Sequence, residues 1–314
     1  MPLTVATWNL QNFAEPKGGN SAAFRQKLRL IAATLAAVDA DVIALQEIMD
    51  GEVAARIATA LNALSGAGAY IAVNGQPDTR LNRVALVSRL PIIDTETESL
   101  GAWRLAPGES VMRLERVQGK IMTVPEPALP RPPVRVRVRL ADNTTVDIIN
   151  VHLKSKLLTF PGGGFSTQDA ALRALATSLA LERRTAEALS VRARVDELLA
   201  GGQRVVVLGD FNDGPEAATT RLLCGEGPKT QRLHNLTELI ASEVRWSRKR
   251  DTTREMVDQI LASDGLMPRQ ENAGPVPAVT VLNDDVPSIL GRRRTNPRGA
   301  PDHALVYATF PLAD

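Results

Sequence analysis

Five short apolar runs in this chain end on side chains that carry oxygen or nitrogen. Leu3–Trp8 delivers Asn9 and Asn12, Asp41–Leu45 delivers Gln46 and Glu47, and Val146–Ile149 delivers Asn150, His152, Lys154 and Lys156. Arg204–Leu208 leads into Gly209, Asp210, Phe211, Asn212 and Asp213, while Pro301, Asp302 and His303 stand just before Ala304–Ala308. Apolar runs of this length and type are buried strands, so the polar groups emerge where strands end. Residues 209–215 alone would signify only a turn, because Asp, Asn, Gly and Pro are the usual turn formers. Recurrence at five strand ends signifies a site. Carboxylates, carboxamides, imidazoles and ammonium groups drawn from distant segments supply what metal-assisted phosphoryl chemistry needs: hard oxygen ligands, donors for phosphate oxygens and a base for water.

Glu47 is the first candidate metal ligand, since a carboxylate at the end of an apolar strand suits a hard cation that keeps part of its water shell. Asn9 would be its neighbour, giving a carbonyl oxygen directly or through water. Asp210 and Asn212 are two apart, so on an extended backbone they face one side and Phe211 the other. Asp213 fits a capping or turn role. Two of the three histidines, His152 and His303, lie in these segments, and either can serve near neutral pH as acid, base or phosphate donor. His234 matches nothing and reads as a structural or surface residue.

Taken together, Thr7–Asn12, Leu45–Glu47, Asn82–Pro91, Asn150–Lys156, Gly209–Asn212, Val257–Ser263 and Pro301–His303 resemble, in order, the motifs of the endonuclease/exonuclease/phosphatase superfamily, which has the DNase I-like fold. The resemblance spans nearly the whole chain and implies an α+β, four-layer α/β/β/α sandwich and one catalytic domain over 1–314. It further implies that Asp210 activates water or sits near the metal, that Asn212 and His152 donate to the phosphate or leaving group, and that Asp258 orients His303. Asp302 would complete the metal cluster with Glu47 and Asn9, with Lys154, Arg83 and Asn150 as substrate contacts. The implied cofactor is Mg²⁺, with Mn²⁺ able to substitute. Three departures stand out: Pro301 where the family has Ser, an unaligned basic stretch over 291–299, and Asn150-Val-His152 where the apurinic endonuclease branch places a Tyr-containing motif. The last sets apurinic-site repair aside.

The elements that must position these residues are legible as well. Residues 21–38 read as an amphipathic helix, with Phe24, Leu28, Ile31, Ala32, Leu35 and Val38 at helical spacing, and 52–64 as a second. Residues 170–199, rich in Ala, Leu, Arg and Glu, form a long helix that ends at Gly201 and Gly202. Val134–Leu140 alternates valine with arginine. That is either an edge or outer strand with its arginines in water or a nucleic-acid-binding stripe. Residues 125–133 hold five prolines and are expected to be irregular.

Composition sets limits on function. A net charge of +2 announces no polyanion partner, so any basic surface must be local. The one cysteine, Cys224, excludes an intramolecular disulfide framework and a Cys-based zinc cluster. No apolar segment reaches the ~18 residues of a membrane helix, and a strand starting at Leu3 leaves no room for a signal peptide, so a cytoplasmic location is expected. The 161–164 loop lacks the ending of a phosphate-binding P-loop. The leading expectation is a Mg²⁺-dependent nuclease hydrolysing DNA, gripped by Arg245–Arg250, Arg292–Arg294 and Lys154 with Lys156. The alternatives are a phosphatase or phosphodiesterase on a small metabolite, inositol phosphate or lipid headgroup, and a catalytically silent binding module.

Overall fold

The computed structural model describes residues 2–16, 21–65, 69–97, 111–126, 131–161, 164–267, 276–284, 286–287, 289–290, 293–294 and 300–312. The strands, in chain order, are β1 (Leu3–Phe13), β2 (Val42–Ile48), β3 (Ile71–Asn74), β4 (Arg83–Ser88), β5 (Ile92–Glu96), β6 (Val111–Val117), β7 (Lys120–Glu126), β8 (Val134–Arg139) and β9 (Thr145–His152). They continue as β10 (Arg204–Asp210), β11 (Leu233–Asn235), β12 (Arg248–Arg250), β13 (Thr253–Glu255), β14 (Asp258–Ser263), β15 (Ala278–Leu282), β16 (Ile289–Leu290), β17 (Arg293–Arg294) and β18 (Leu305–Phe310). The α-helices are α1 (Ala22–Val38), α2 (Gly51–Ser65), α3 (Ala170–Ala200) and α4 (Ala218–Cys224).

Two six-stranded sheets carry the architecture, in the orders β15-β18-β1-β2-β4-β3 and β11-β14-β10-β9-β8-β5. Period-two alternation sorts their side chains into layers. Leu3, Val5, Val42, Ala44, Val84 and Val306 of the first sheet meet Val136, Val146, Ile148, Val206, Leu208 and Ile260 of the second in one buried core. The opposite face of the first sheet, with Ala6, Trp8, Ile43 and Leu45, packs on Phe24, Ile31, Leu35, Val53 and Ile57 of α1 and α2. The outer face of the second, with Ile149, Val151, Val205 and Val207, packs on Ala188, Val191, Val195 and Leu198 of α3. The result is an α+β sandwich of four layers, helix, sheet, sheet, helix.

Local chemistry explains the boundaries. Ser21 caps α1 by accepting from the Phe24 N–H at 3.1 Å, and Asp169 caps α3 by accepting from Leu172 at 3.0 Å. The β6–β7 hairpin turns through Gln118 and Gly119, both at positive φ, as a two-residue type I′ connection requires. Pro125 is not irregular: it pairs with Met112 in that two-stranded ribbon, where a missing N–H can be tolerated.

The Val-Arg alternation of β8 also differs from both expectations. The strand is not an edge, because it lies between β9 and β5. Arg135 is buried and hydrogen-bonds Asp147, Asp94 and Glu96, and Arg194 of α3 bonds Glu96 as well. Arg137 pairs with Asp147 at 3.1 Å. Acids from β5 and β9 take up the arginines, so this face is an internal charge network rather than a nucleic-acid stripe; only Arg139 is exposed.

Gly209 marks the tightest point of the second sheet. Its φ is +144°, and a Cβ there would fall 2.0 Å from the Val151 carbonyl oxygen of β9. Gly209→Ala therefore forces β9 and β10 apart just before Asp210, and should destabilise the chain by about 4 kcal/mol or more. Urea unfolding checks this, and a midpoint like that of the unmodified chain would contradict it.

Candidate active site

Strand direction brings the polar residues together. β1 and β2 run parallel in the first sheet and β9 and β10 run parallel in the second, so Asn9, Glu47, His152 and Asp210 all emerge at C-terminal strand ends. β14 and β18 are antiparallel to their neighbours, so their starts, with Asp258 and the adjacent His303, arrive at the same edge. Within the second sheet Asp210 is in register with His152 on one side and Asp258 on the other. The three side chains therefore stand abreast on the face turned to the first sheet.

Irregular backbone aims the first-sheet residues. The β1–β2 pairing shifts register between Asn9 and Phe13, and β2–β4 between Leu45 and Ile48. Such bulges re-aim side chains next to sites. Gln11, Asn12 and Glu47 have positive φ, as does Asn212 after β10. A non-glycine residue in that region costs on the order of 1–3 kcal/mol, which the surrounding contacts must offset.

Asp210 is the hub. It is 1% exposed, and its Oδ2 accepts from the Asn9 side-chain amide at 2.9 Å. The same oxygen lies 3.5 Å from His152 Nε2 and 3.9 Å from His303 Nε2. Its Oδ1 accepts from the Asn212 backbone N–H at 2.8 Å, so residues 210–212 form a tight turn rather than the extended segment expected. The second His303 nitrogen, Nδ1, is 2.8 Å from Asp258 Oδ2. Ser247 holds that partner, its hydroxyl accepting from the backbone N–H groups of Val257 and Asp258 at 3.1 Å. Trp8 Nε1 donates to the His303 carbonyl at 2.9 Å and ties the histidine to the first sheet.

The two histidines are held in different charge states. Burial works against a charged His303, yet the carboxylates of Asp258 and Asp210 lift its pKa to about 10. Burial and the nearby positive charges of Arg131 and His303 push His152 well below its ordinary value. Arg131 Nη1 is 2.6 Å from His152 Nδ1. A guanidinium can only donate, so Nδ1 is the acceptor and the proton of the neutral ring sits on Nε2, facing Asp210. Burial also raises the pKa of Asp210 itself, against the opposing charge of His303.

Several expected residues take different places. Asn150 is fully buried between the sheets, its Nδ2 donating to the carbonyls of Leu45 at 3.0 Å and Ala85 at 2.7 Å and its Oδ1 accepting from Gln46 at 2.7 Å. With its amide committed to the first sheet it is a tie between layers, and its expected role as a substrate contact is corrected. Asn9 presents its N–H groups, not its carbonyl, to Glu47 at 3.3 Å and Asp210 at 2.9 Å, while its Oδ1 accepts from the Gln11 N–H at 3.0 Å. It bridges two carboxylates in place of the expected oxygen ligation. Lys154 Nζ donates to the Ser155 and Leu157 carbonyls at 2.9 and 2.7 Å. Arg83 starts β4 across from Ile48, beside the Glu47 turn. Asn212 Nδ2 donates to the Leu153 carbonyl at 3.0 Å, and Asp302 is buried beside His303.

The expected cationic grip is also redistributed. Arg248 turns inward, with Nη2 on Glu255 at 2.8 Å and Nη1 3.5 Å from Asn212 Oδ1. Lys156 lies 3.3 Å from Glu255 and 3.4 Å from Asp213. The side chains of Arg292–Arg294 fall outside the described residues. Asp213 takes Arg184 of α3 at 2.7 Å and the Thr219 hydroxyl at 2.7 Å, a loop tie consistent with a turn role.

Among the described residues, two places offer donors to a metal. At the first, the Glu47 carboxylate oxygens accept, among these residues, from Asn9 Nδ2 at 3.3 Å and from the Asn12 N–H at 2.8 Å. Oxygen donors of this kind suit a hard divalent cation. Asp210, Asp258 and His303 also present ligand atoms within 4.8 Å of one another. There the His303 nitrogen nearest Asp258 is already engaged, so the geometry fits a proton and charge relay.

The model of the Endonuclease/Exonuclease/phosphatase family matches residues 6–311. No curated protein matches the sequence significantly. Among solved structures, the chain is similar to D. rerio TDP2 complexed with single strand DNA product (TM-score 0.55, 14% identity, 99% of each chain covered). It is similar to a Bacteroides thetaiotaomicron mannosyl-6-phosphatase (0.55, 16%, 98% of each). The human Nocturnin catalytic domain with bound sulfate anion is a third (0.54, 14%, 99% of this chain and 95% of that one). No described helix is long and apolar enough to cross a membrane.

The histidine states carry a pH signature. His303, raised, contributes stability that is whole below its unfolded pKa near 6.5 and is lost as pH climbs toward about 10. His152, lowered, contributes stability present above about 6.5 and lost as pH falls below it. Imidazole ¹⁵N resonances assigned to these two residues should show His303 doubly protonated at neutral pH and His152 neutral, with its proton on Nε2. A neutral His303 at pH 7 would refute the assignment.

Proposed function

The chain belongs to the Endonuclease/Exonuclease/phosphatase family, and on that premise we propose that it is a metal-dependent phosphodiesterase that hydrolyses DNA. As a family member it is a phosphoesterase, and DNA and Mg²⁺ are the substrate and cation proposed for it. One observation carries the chemistry: a buried carboxylate, Asp210, lies within 4 Å of a neutral imidazole, a charged imidazole and a carboxamide drawn from both sheets. We assign the activity to one catalytic domain over 1–314, a reading supported by the pairing of β1 at the start of the chain with β18 near its end.

In this mechanism Asp210 takes a proton from the attacking water, a role suited to a carboxylate whose basicity burial has raised. The water oxygen bonds to phosphorus as the bond to the leaving oxygen breaks. Charged His303 gives the leaving oxygen its proton, and Asp210 and His303, 3.9 Å apart, return to their starting states by passing the captured proton between them. His152 donates from Nε2 to a phosphate oxygen, with Arg131 holding its tautomer. Asp258 orients His303, and Asn212 and Arg248 line the same edge as further phosphate donors. A divalent cation held by Glu47 and Asp302 would supply Lewis-acid stabilisation of the phosphate charge.

DNA is supported by the cations that flank Arg248 in sequence, Arg245, Lys249 and Arg250, with Arg254 over the Trp246 ring at 5.0 Å. Hydrolysis of plasmid DNA and of bis-p-nitrophenyl phosphate should disappear in EDTA and return with Mg²⁺ or Mn²⁺. Full turnover in a metal-stripped, chelated sample would remove the metal from the mechanism. Asp210→Asn and His303→Ala should each lower turnover by roughly 10² or more with the fold intact by circular dichroism. A folded variant working at the unmodified rate would show that the chemistry lies elsewhere.

A further inference from the structure

A second pocket adjoins this site on its α3 side. It has a volume of about 280 Å³ and lies between α3 and the start of the β6–β7 hairpin. Five cations line it, Arg80, Arg113, Arg131, Lys154 and Arg183, and Arg113 is paired with Glu115 at 2.7 Å. The neighbouring carboxylates are Asp78, 3.6 Å from Arg131 and 3.8 Å from Arg80, and Glu187, which accepts from Arg183 at 3.0 Å and from the Lys154 backbone at 2.5 Å. Arg131 is only 7% exposed, and its buried Nε, 3.6 Å from Asp78, makes no hydrogen bond among the described residues. The other end of its guanidinium reaches His152. Lys154 registers the crowding: burial, together with the charges of Arg183, Arg131 and Arg80, brings its pKa down to about 8 against the pull of Glu187. An apolar wall faces these cations, made of Leu114, Leu179 and Phe165, the last 53% exposed.

We propose that this pocket receives a nucleoside monophosphate unit of the substrate, with the phosphate on Arg80, Arg131, Lys154 and Arg183 and the base against Phe165 and Leu179. The proposal rests on the nuclease reading, which it deepens by placing a neighbouring nucleotide beside the one that is cut. Buried guanidinium groups bind phosphate through charge-assisted, often bidentate hydrogen bonds. A half-exposed aromatic ring stacks any base, because every base offers a π-face. Neither half of the pocket alone would select a nucleotide: the cations suit any phosphate, and the wall any apolar group. Because Arg131 touches both the pocket and His152, occupancy is linked to the scissile site by one side chain.

The test is calorimetry of the full chain in EDTA with three probes: adenosine 5′-monophosphate, adenosine and inorganic phosphate. The mononucleotide should bind at least tenfold more tightly than either fragment. Arg80→Gln and Arg183→Gln should each weaken it by roughly tenfold, the loss expected for a hydrogen bond to a charged group, and Phe165→Ala should weaken it while leaving inorganic phosphate unaffected. If Arg183→Gln fails to fold, Arg183→Lys keeps the charge and should retain most of the affinity. A 5′-phosphorylated hexathymidylate must displace the mononucleotide, and failure to do so overturns the assignment to a polynucleotide substrate. No mononucleotide binding, or binding indifferent to all three substitutions, overturns the pocket itself. Mononucleotide binding by a chain that leaves DNA intact would sink the nuclease reading alone, and DNA cleavage by a chain that binds no mononucleotide would sink the pocket alone.

Discussion

The arrangement depends on keeping the Asp210 carboxylate dry and still compensated. Removing a carboxylate from water is costly unless hydrogen bonds and opposite charge replace the lost solvation. Here the replacements come from three directions: Asn9 from the first sheet, the Asn212 N–H from the turn after β10, and the charged His303 from the segment before β18. Each is placed by a separate element, so the carboxylate can be satisfied only when both sheets have closed on each other. Burial then makes the group a better base than an exposed aspartate, and the same burial keeps His152 neutral and able to donate.

That closure has its own supports. Gly209 lets β9 and β10 approach closely enough to set His152 and Asp210 abreast. Asn150, Gln46 and Thr7 form a buried polar seam across the core, with Gln46 Nε2 donating both to Asn150 at 2.7 Å and to the Thr7 hydroxyl at 3.0 Å. A buried network whose members are paired fixes one relative placement of two sheets, which apolar packing alone defines loosely. The bulges in β1 and β2 then turn Asn9 and Glu47 toward the seam's open end. Arg184 and Glu187 of α3 reach the loops behind the site, so the outer helix helps to hold Asp213 and Lys154.

Much of this was legible in the sequence because strand alternation is a local property. Apolar runs located β1, β2, β9 and β10, and the residues at their ends are the ones the fold gathers. The apolar run placed Asn150 at a strand end but not what lies opposite it; the first sheet does, and the residue ties the two layers. Arg135 was hidden for a related reason: its partners Asp94 and Glu96 lie about forty residues away, and only Asp147, embedded in an apolar run, signalled a buried charge to be matched. Arg131 escaped notice because it sits in a proline-rich segment, and Arg248 was legible only as one cation of the run 245–250, where solvent or a polyanion is the ordinary destination rather than an acid inside the fold.

The central claim is a division of labour: Glu47 holds the metal, while Asp210, Asp258 and His303 move protons and charge. Anomalous diffraction from crystals soaked in Mn²⁺ tests it most directly. The account predicts a single peak on the Glu47 carboxylate, with the contact between His303 and Asp258 intact. A peak enclosed by Asp210, Asp258 and His303, with that contact broken, would contradict it.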